Sequence, residues 1–429
     1  MVEVPSSGVV LRLWLVASRW LAPLAGRHLA RRVARGKEDP ARVGEKQGSA
    51  SLPRPKGPLI WLHAVGVGEV LALPALVAAI RDRNPEIQVL ITSSSRTSAE
   101  ALATNLPAGS RHQFLPLDCL PYVQRFLDHW RPDLVVWAER DIWPAMVVET
   151  HRRGIPQMLV NGRMDDASFR AKMRARGLFR DLYGRMASVG VQDPATLAHF
   201  AAFGVARQRL FLDGSLKAGA AALADQPEPR TAFEHALAGR RVWLAASTHA
   251  ADEATVAAAH AALLRSDPDA CLIVAPRDPS RAGEVQRQLQ TEALDSVILT
   301  GATLPARTPA CVVGRIGQLG IWYRIADVAF VGGSLGQTGG HNPYEAARLE
   351  CAIVHGPNIA NFADDYAAFH GAGAARLVRN AADLLAALLD PDLQDQLAPA
   401  RAVALRGVAG LQAVAIRILA QMASKQGPT

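Results

Sequence analysis

Residues 331–363 read VGGSLGQTGGHNPYEAARLECAIVHGPNIANFA, which predicts the order strand, glycine-rich loop, helix, strand and loop. The apolar run 328–331 has the length and content of a buried parallel strand, and five glycines follow it within nine residues. Glycines at this density let a backbone approach a ligand closely and adopt positive φ. Because two GG pairs, HNP and a later GPN coincide here, the stretch indicates a ligand site rather than a simple turn.

A short helix is expected to follow the glycines. Asn342 stands where an N-cap belongs, and Pro343 stands at the first helical position, where its missing N–H costs nothing. The free N–H groups at such a helix end favour a phosphate or a carboxylate. The next strand, 351–355, leads into a second loop at 356–362. Both loops are expected at the carboxyl edge of the sheet, where open α/β sheets bind ligands.

Strands and helices alternate along the rest of the chain. The other predicted strands are 59–62, 88–92, 133–137, 157–160, 188–191, 241–246, 270–275 and 310–313. Right-handed βαβ units in series predict an α/β fold with two doubly wound Rossmann-like domains facing each other across a cleft. We expect an N-terminal amphipathic segment at 1–50, a first domain at 51–225 and a second at 226–429, joined by an Ala-, Pro- and Glu-rich linker at 218–229.

Composition narrows the classes of partner. The 429 residues are 49% hydrophobic and 20% charged, enough to bury two cores. A formal net charge of +8 is compatible with nucleic acid, an anionic membrane surface or an anionic small substrate. No zinc spacing or basic run with interleaved aromatics is present, which argues against nucleic acid. The four cysteines are scattered without a CxxC pair, which predicts buried, reduced thiols.

The N-terminal segment has the pattern of an amphipathic helix. Apolar residues recur at helical spacing: Leu13, Trp14, Ala17, Leu21 and Leu24. Arg12 and Arg19 lie on the other side, and each would cost about 2.5–3.5 kcal/mol inside a membrane. A basic segment follows, with Arg27, Arg31, Arg32, Arg35 and Lys37. We therefore expect the helix to lie in the interface of an anionic membrane, the alternative being a helix packed on the domain with a solvated basic face.

Glu69 is the candidate catalytic residue of the first domain. The strand 59–62 runs into HAVGVGE, and an apolar helix follows. Glu69 thus stands in the first turn of a helix, at the carboxyl edge of the first strand, where catalytic groups concentrate in α/β folds. The alternative is a glutamate that only complements the helix dipole.

Taken together, the motifs resemble the Kdo transferases, which attach 3-deoxy-D-manno-octulosonic acid (Kdo) to lipid A precursors in Gram-negative envelope synthesis. The resemblance covers about 61–366, and an ordered set of motifs carries it: WLHAVGVGEV (61–70), ERDIWP (139–144), NGRM (161–164), GSLK (214–217), AASTH (245–249), APR (275–277), ADVAFVGGSL (326–335), GGHNPYEAA (339–347) and GPNIANF (356–362). The set as a whole is highly specific for this family.

The resemblance implies a glycosyltransferase-B fold, CMP-Kdo as donor, a lipid A precursor as acceptor, inversion at the anomeric carbon, and no metal or other cofactor. It also implies work at the cytoplasmic face of the inner membrane. Glu69 would be the general base, and Glu139 and Lys217 would line the cleft near the sugar. The residues expected to hold the donor nucleotide are Ser247, Thr248, Arg277, Gly340, Asn342 and Glu345.

The chemistry of these residues suits the expected reaction. A solvated glutamate has a pKa near about 4.3, so it can accept the proton of an acceptor hydroxyl at neutral pH. The leaving nucleoside monophosphate develops one phosphate's charge, which Arg277 and Lys217 can stabilise without a metal. Residues 314–319, GRIGQL, lack the acidic groups of the family pattern, which keeps open a divergent glycosyltransferase with another donor or acceptor. A catalytically silent paralogue that binds lipid or nucleotide is a further alternative.

Overall fold

The computed structural model describes residues 8–138, 142–219, 222–301, 304–305 and 307–426. The chain forms two compact units. The first comprises Met1–Ala220 together with Gly407–Thr429, and the second comprises Ala221–Arg406. Each unit is built on a seven-stranded parallel sheet, so the predicted pair of doubly wound α/β domains is confirmed.

The first sheet has the strand order β3-β2-β1-β4-β5-β6-β7. Its strands are β1 (Leu59–His63), β2 (Gln88–Ser93), β3 (Ser110–Phe114), β4 (Leu134–Trp137), β5 (Gln157–Gly162), β6 (Ser188–Val191) and β7 (Leu210–Leu212). The helices of this unit are α1 (Val9–Trp20), α2 (Ala22–Ala34), α3 (Val67–Arg81), α4 (Arg96–Ala103), α5 (Leu120–Trp130), α6 (Pro144–Arg152), α7 (Asp166–Met173), α8 (Arg176–Gly184) and α9 (Pro194–Ala202).

The second sheet has the order β10-β11-β9-β8-β12-β13-β14. Its strands are β8 (Val242–Thr248), β9 (Cys271–Pro276), β10 (Ser296–Leu299), β11 (Ala310–Val313), β12 (Val328–Val331), β13 (Ala352–His355) and β14 (Arg376–Leu377). The remaining helices are α10 (Pro227–Ala236), α11 (Ala250–Leu263), α12 (Ala282–Thr291), α13 (Leu319–Ile325), α14 (Tyr344–Arg348), α15 (Ala363–Gly371), α16 (Ala381–Leu389) and α17 (Leu397–Gln426).

Successive residues of a strand point to opposite faces of the sheet, and helices cover both faces. On β1, Leu59 and Trp61 join one buried apolar cluster, whereas Ile60 and Leu62 join another. This explains why the strands read as continuous apolar runs rather than as alternating patterns. The four cysteines are buried and free, as predicted.

Each sheet has one point at which the strand order reverses, between β1 and β4 in the first and between β8 and β12 in the second. Doubly wound sheets bind ligands outside the carboxyl ends of the strands at this point. The four loops that follow these strands begin at Ala64, Ala138, His249 and Gly332. Several motifs of the resemblance lie on or beside these four loops, and the others follow β5, β7, β9 and β13.

The C-terminal boundary differs from the sequence-based division, which assigned 226–429 to the second domain. Residues from Gly407 onward belong to the first unit. The reason is the apolar face of α17, whose side chains complete the buried cluster on one side of the first sheet: Leu411, Val414, Ala415, Ile418 and Met422.

The N-terminal segment also differs from the prediction, because it forms two helices that meet at Leu21 with a bend of 62°. Pro23 lacks the N–H that would continue the hydrogen bonds of α1, which explains the break. Leu11 and Leu29 are buried, so 1–50 is not a separate segment but part of the first unit. Arg32 is paired with Glu38 at 2.6 Å rather than presented as an unpaired basic group.

Two stretches of the described chain have the length and apolar content of a membrane span. One is the helical stretch Pro391–Ser424, and the other is the bent pair of α1 and α2 counted together. Because apolar helices packed in a protein core share this composition, it does not by itself indicate a span.

Candidate active site

The loop after β1 leads into α3, whose first turn carries Glu69. Ala64 N donates to Thr92 O at 3.1 Å, and Ser98 Oγ donates to Val65 O at 2.6 Å, so the loop is held from β2 and α4. Glu69 is the third residue of α3, and its carboxylate lies directly over Gly66, where a methyl group would overlap it. Glycine at this position is therefore required for the carboxylate to fold back toward the loop.

Lys217, which is far from Glu69 in the sequence, also lies at the start of α3. It lies on a short 3-10 helix, Leu216–Gly219, that packs on α3. A methyl group on Gly68 would lie 3.2 Å from Lys217 Nζ. The ammonium group thus lies over Gly68, the residue that precedes Glu69, so the structure places both predicted site residues at the first turn of α3.

Asn161 positions the turn that carries Lys217. It adopts a left-handed conformation with φ 56° at the end of β5. Its Oδ1 accepts from Leu216 N at 3.0 Å and from Gln192 Nε2 at 2.9 Å. The NGRM motif contains Asn161, but sequence reasoning gave it no role. Asparagine is enriched among residues with left-handed backbone, and Asn161 stands at a predicted strand end. These two facts are the sequence signal that could have indicated its role.

A partly buried ion pair fixes the residue that precedes this turn. Asp213 binds Arg417 through both carboxylate oxygens, with Arg417 Nη1 at 3.0 Å from Oδ1 and Nη2 bonded to Oδ2. The guanidinium also stacks 4.1 Å above the Phe211 ring. The last turns of α17 therefore hold the strand end that leads to Lys217, a connection that the sequence pattern did not reveal.

Glu139, the third predicted residue of this unit's site, lies outside the described residues. The chain resumes at Ile142, and α6 begins two residues later. Asp118 caps this helix: its carboxylate accepts from Ala145 N at 3.0 Å, from Met146 N at 2.9 Å and from Trp14 Nε1 at 3.3 Å. Burial raises the pKa of Asp118, while the bonds from these N–H groups oppose that rise.

A cavity of about 620 Å³ lies beside Asp118. Apart from the carboxylate its lining is almost entirely apolar, and α1 and the start of α6 supply most of it: Val10, Leu13, Trp14, Ala17, Ile142, Trp143, Pro144 and Leu178. Its size is in the range of small-molecule and cofactor pockets, so it can hold an apolar ligand.

In the second unit, the end of β8 is bent by an unusual residue. Ser247 is half-buried and has φ 53°, a conformation rare outside glycine. Thr248 is fully buried, its hydroxyl donates to Glu253 Oε1 at 3.4 Å, and its carbonyl accepts from Arg277 N at 3.0 Å. Thr248 therefore positions the loop through its backbone and leaves Ser247 and the exposed Arg277 side chain at the edge of the sheet.

The glycine loop after β12 is packed too closely for larger residues. A methyl group on Gly332 would meet Ser247 O at 2.7 Å, and Gly333 has φ 68°. The buried carboxylate of Asp252 holds this loop, accepting from Gly333 N at 2.7 Å, from Leu335 N at 3.1 Å and from His249 N at 2.9 Å. Asp252 therefore ties the loop to the start of α11, a role that sequence reasoning missed.

The two predicted loops at this edge of the sheet are hydrogen-bonded to each other. Asn358 N donates to Ser334 O at 2.9 Å, and Asn361 N donates to Gly339 O at 2.9 Å. Gly340 has φ 76°, and a methyl group there would lie 3.2 Å from Ile359 Cα. The second loop thus supports the first from behind, which confirms their predicted position at one edge.

The helix after the glycines starts slightly later than predicted. Its bounds are Tyr344–Arg348, and Asn342 Oδ1 accepts from Tyr344 N at 3.0 Å. The Asn342 side chain also hydrogen-bonds the Glu345 carboxylate. Burial raises the pKa of Glu345 to about 7, against the lowering effects of the Arg277 charge, of Asn342 and of Arg348. A carboxyl group that titrates near neutrality is typical of a ligand site.

Two histidines complete this cluster. His249 follows β8, His341 precedes Asn342, and their Nε2 atoms are 2.9 Å apart with the rings nearly parallel. Burial, with the charges of His249 and Arg277, lowers the pKa of His341 to about 4. Sequence reasoning quoted both residues within motifs but assigned neither to the site. Among the described residues, no group of three or more His, Cys, Asp or Glu side chains is arranged to hold a metal ion.

Comparison with known proteins identifies a family. The family model for 3-deoxy-D-manno-octulosonic-acid transferase (kdotransferase) matches residues 38–220. The 3-deoxy-D-manno-octulosonic acid transferase of Rickettsia bellii is 31% identical over 392 residues, which is 90% of this chain and 93% of that protein. The Bordetella pertussis protein of the same name is 31% identical over 85% of this chain and 87% of its own length.

Solved structures with low sequence identity share the fold. A glycosyltransferase from Rickettsia africae aligns with a TM-score of 0.54 at 10% identity, covering 87% of this chain and all of that one. UDP-GlcNAc 2-epimerase from Neisseria meningitidis aligns with a TM-score of 0.55 at 11% identity, covering 85% and 100%. These two structures show the fold alone. Because its sequence is 31% identical to the Rickettsia bellii protein over nearly the whole length of both, the chain belongs to the 3-deoxy-D-manno-octulosonic acid transferase family of glycosyltransferases.

Proposed function

We propose that this protein transfers Kdo from CMP-Kdo to a lipid A precursor, with inversion at the anomeric carbon and without a metal ion. The observation that carries the proposal is that the Glu69 carboxylate lies over Gly66 and the Lys217 ammonium lies over Gly68, both just after β1 at the strand-order reversal of the first sheet. An acceptor oxygen attacks the anomeric carbon, the bond from that carbon to the phosphate oxygen breaks, and CMP leaves with the bonding electrons. Glu69 accepts the proton of the acceptor hydroxyl.

The second unit supplies the groups that a nucleotide requires. The glycine loop offers backbone at close approach, and the Arg277 guanidinium offers a positive charge to the phosphate. Glu345 and Asn342, hydrogen-bonded to each other, offer acceptors and donors for sugar hydroxyls. These fixed dipoles and charges stabilise the charge of leaving CMP, which supports a reaction without metal.

The apolar cavity beside Asp118 in the first unit supports a lipid as the acceptor. Its volume of about 620 Å³ and its apolar lining suit an acyl chain. It also borders α1, most of whose exposed side chains are apolar. A sugar nucleotide has no part that would occupy such a site, whereas a lipid A precursor carries several acyl chains.

We also propose that α1 and α2 bring the protein to the cytoplasmic face of the inner membrane. The exposed fractions of their apolar side chains lie between 54% and 77% for Val9, Val10, Leu13, Val16, Trp20 and Leu24. Exposed basic residues flank them, namely Arg12, Arg19, Arg27, Arg31, Arg35 and Lys37. Apolar and cationic side chains together favour the interface of an anionic bilayer.

A transfer assay in anionic vesicles that contain a lipid A precursor tests the proposal, with CMP-Kdo offered beside other nucleotide sugars. We expect Kdo transfer from CMP-Kdo, a product of inverted anomeric configuration by NMR, and a rate unchanged by EDTA. Transfer from a different nucleotide sugar only would assign the divergent enzyme that residues 314–319 leave open. Binding of lipid or nucleotide without any transfer would instead assign the silent paralogue.

Vesicle co-sedimentation tests the membrane part separately. Trp20→Asp places a charge on the exposed face of α1, and we expect a clear loss of binding to anionic vesicles. Leu405→Asp is the matched control, because Leu405 is 58% exposed on α17 in the second unit. Equal binding by both variants would show that the membrane contact lies elsewhere.

A further inference from the structure

The long helix α17 carries two glycines in its interior, Gly407 and Gly410. Glycine is less favourable than alanine inside a helix, because it loses more backbone freedom on folding than any other residue. The two glycines are three residues apart, so they lie on the same face of the helix. A pair of glycines on one face is expected where another part of the chain approaches the helix too closely for a side chain.

The glycine face of α17, which consists of Gly407 and Gly410, lies against the segment 213–219. A methyl group on Gly410 would overlap the backbone oxygen of Asp213. A methyl group on Gly407 would overlap Ala218 Cβ and lie 2.7 Å from the backbone oxygen of Ala218. Backbone atoms cannot yield as the end of a flexible side chain can. A side chain on this face of α17 would therefore displace the segment.

The same segment carries Lys217, so the place of the segment determines the place of the ammonium group. Lys217 is the second residue of the 3-10 helix Leu216–Gly219, between the two points of the segment that contact the glycine face. Asn161 Oδ1 holds the start of this short helix, accepting from Leu216 N at 3.0 Å. The ammonium group reaches the start of α3, where it lies over Gly68. Displacing the segment would therefore move the ammonium group from this place.

We propose that Gly407 and Gly410 are positioning residues for the transfer reaction, because they let α17 lie close enough to hold the Lys217 ammonium group over Gly68. The inference rests on the proposed function, which places Lys217 in the active site. A cation stabilises developing negative charge most strongly when it is fixed in advance at the place where that charge forms. A misplacement of about 1 Å costs up to about 100-fold in rate. The glycine face thus acts on the rate through Lys217, without touching a substrate.

Gly410→Ala is the variant that displaces the segment. Alanine favours the helix, so the change opposes folding only through the overlap with Asp213. The matched control is Gly177→Ala, which makes the same change in α8 at a place where a methyl group meets nothing within 4 Å. We expect kcat of Gly410→Ala to fall by about 10- to 100-fold, with KM for the donor changed by less than about 3-fold. The control should keep the wild-type kcat and KM.

A double-mutant cycle with Lys217→Met shows whether the effect passes through Lys217. In the Lys217→Met protein, Gly410→Ala should change kcat by less than about 2-fold, because the group that it displaces is already absent. An equal fall in both backgrounds, or a wild-type kcat for either folded single variant, overturns the proposal. If Gly410→Ala does not fold, Gly407→Ala takes its place in the cycle. Ala218→Gly, which removes the methyl group that Gly407→Ala overlaps, should then restore part of the rate.

NMR of lysine-labelled protein measures the position of Lys217 without any substrate. The chain has six lysines, and the Lys217 signal is the one that is absent in Lys217→Met. We expect the Cε signal of Lys217 to shift in Gly410→Ala and to stay in place in Gly177→Ala. An unmoved signal in Gly410→Ala overturns the proposal. If the wild type does not transfer Kdo, the proposed function is wrong, and this signal still decides whether the glycine face positions Lys217.

Discussion

Replacing Asp252 by Asn tests how the glycine loop is held. Oδ2 of Asp252 accepts from His249 N and Gly333 N, and Oδ1 accepts from Leu335 N. Asn has nearly the same shape but only one acceptor oxygen. In its better orientation this oxygen keeps two bonds, and the NH₂ group then faces the N–H of Leu335, donor against donor.

The expected loss follows from these three bonds. A buried donor that loses a charged acceptor costs about 1.5–3 kcal/mol, and the two remaining bonds weaken because the acceptor is no longer charged. We therefore expect the free energy of unfolding to fall by about 2–4 kcal/mol. For a unit of this size each kcal/mol shifts the thermal midpoint by roughly 2–4 °C, so the midpoint should fall by roughly 5–15 °C.

Scanning calorimetry of the full chain, followed by nucleotide titration, measures both consequences. Asp278→Asn is the matched control, because Asp278 is exposed and caps Ser280 N, a place that Asn fills equally well. The control should stay within about 2 °C of the wild type and bind nucleotide normally. If Asp252→Asn and Asp278→Asn show the same midpoint and the same nucleotide affinity, the loop does not depend on Asp252.

Three further predictions concern other contacts. Glu69→Gln should lower the transfer rate by roughly 10²–10⁴-fold with nucleotide binding intact. The control Glu228→Gln, which changes a glutamate in the first turn of α10, should leave the rate unchanged. A near-normal rate for Glu69→Gln with a stability loss of about 0.3–1 kcal/mol would mean that Glu69 only complements the helix dipole. Arg417→Met leaves the buried carboxylate of Asp213 without its partner, so the free energy of unfolding, measured by calorimetry, should fall by about 3–5 kcal/mol. An unchanged thermal midpoint would contradict this. Because the pKa of folded Glu345 is about 7, above its ordinary 4.5, the folded protein holds an extra proton between these values. The free energy of unfolding should therefore fall as pH rises through this range. The contribution of Glu345 is the difference in this free energy between the wild type and Glu345→Gln at each pH. If the two proteins show the same pH dependence, the raised pKa of Glu345 is refuted.

The interior of the fold was predictable because buried parallel strands are continuous apolar runs. The predicted strands 188–191, 310–313 and 328–331 have the observed bounds, and the others shift by one or two residues at one or both ends. The strands that sequence reasoning missed are near the sheet edges: β3, β7, β10 and β14. β3, with the sequence SRHQF, is mostly polar, and β14 has only two residues, so neither carries a clear apolar signal.

The site was predictable as far as its residues follow strands directly. Glu69 lies in the first turn of α3, Ser247 and Thr248 end β8, and Gly340 lies in the loop after β12, all at the predicted edge. Pairing across the sequence was not predictable, because hydrophobic periodicity carries no information about which polar groups meet. Asn161 reaches Leu216, and Asp213 reaches Arg417 204 residues away, only through the folded chain.

The discontinuity of the first unit has a consequence for biosynthesis. Ribosomes deliver the chain from its N-terminus, and domains generally fold as soon as their sequence has emerged. The second unit is one uninterrupted segment and can complete its core before the segment from Gly407 onward has emerged. The first unit lacks Leu411, Ile418 and Arg417 until the segment that follows the second unit has also left the exit tunnel. The half that emerges first is therefore the half that matures last, and it is the one that must stay protected from aggregation during synthesis.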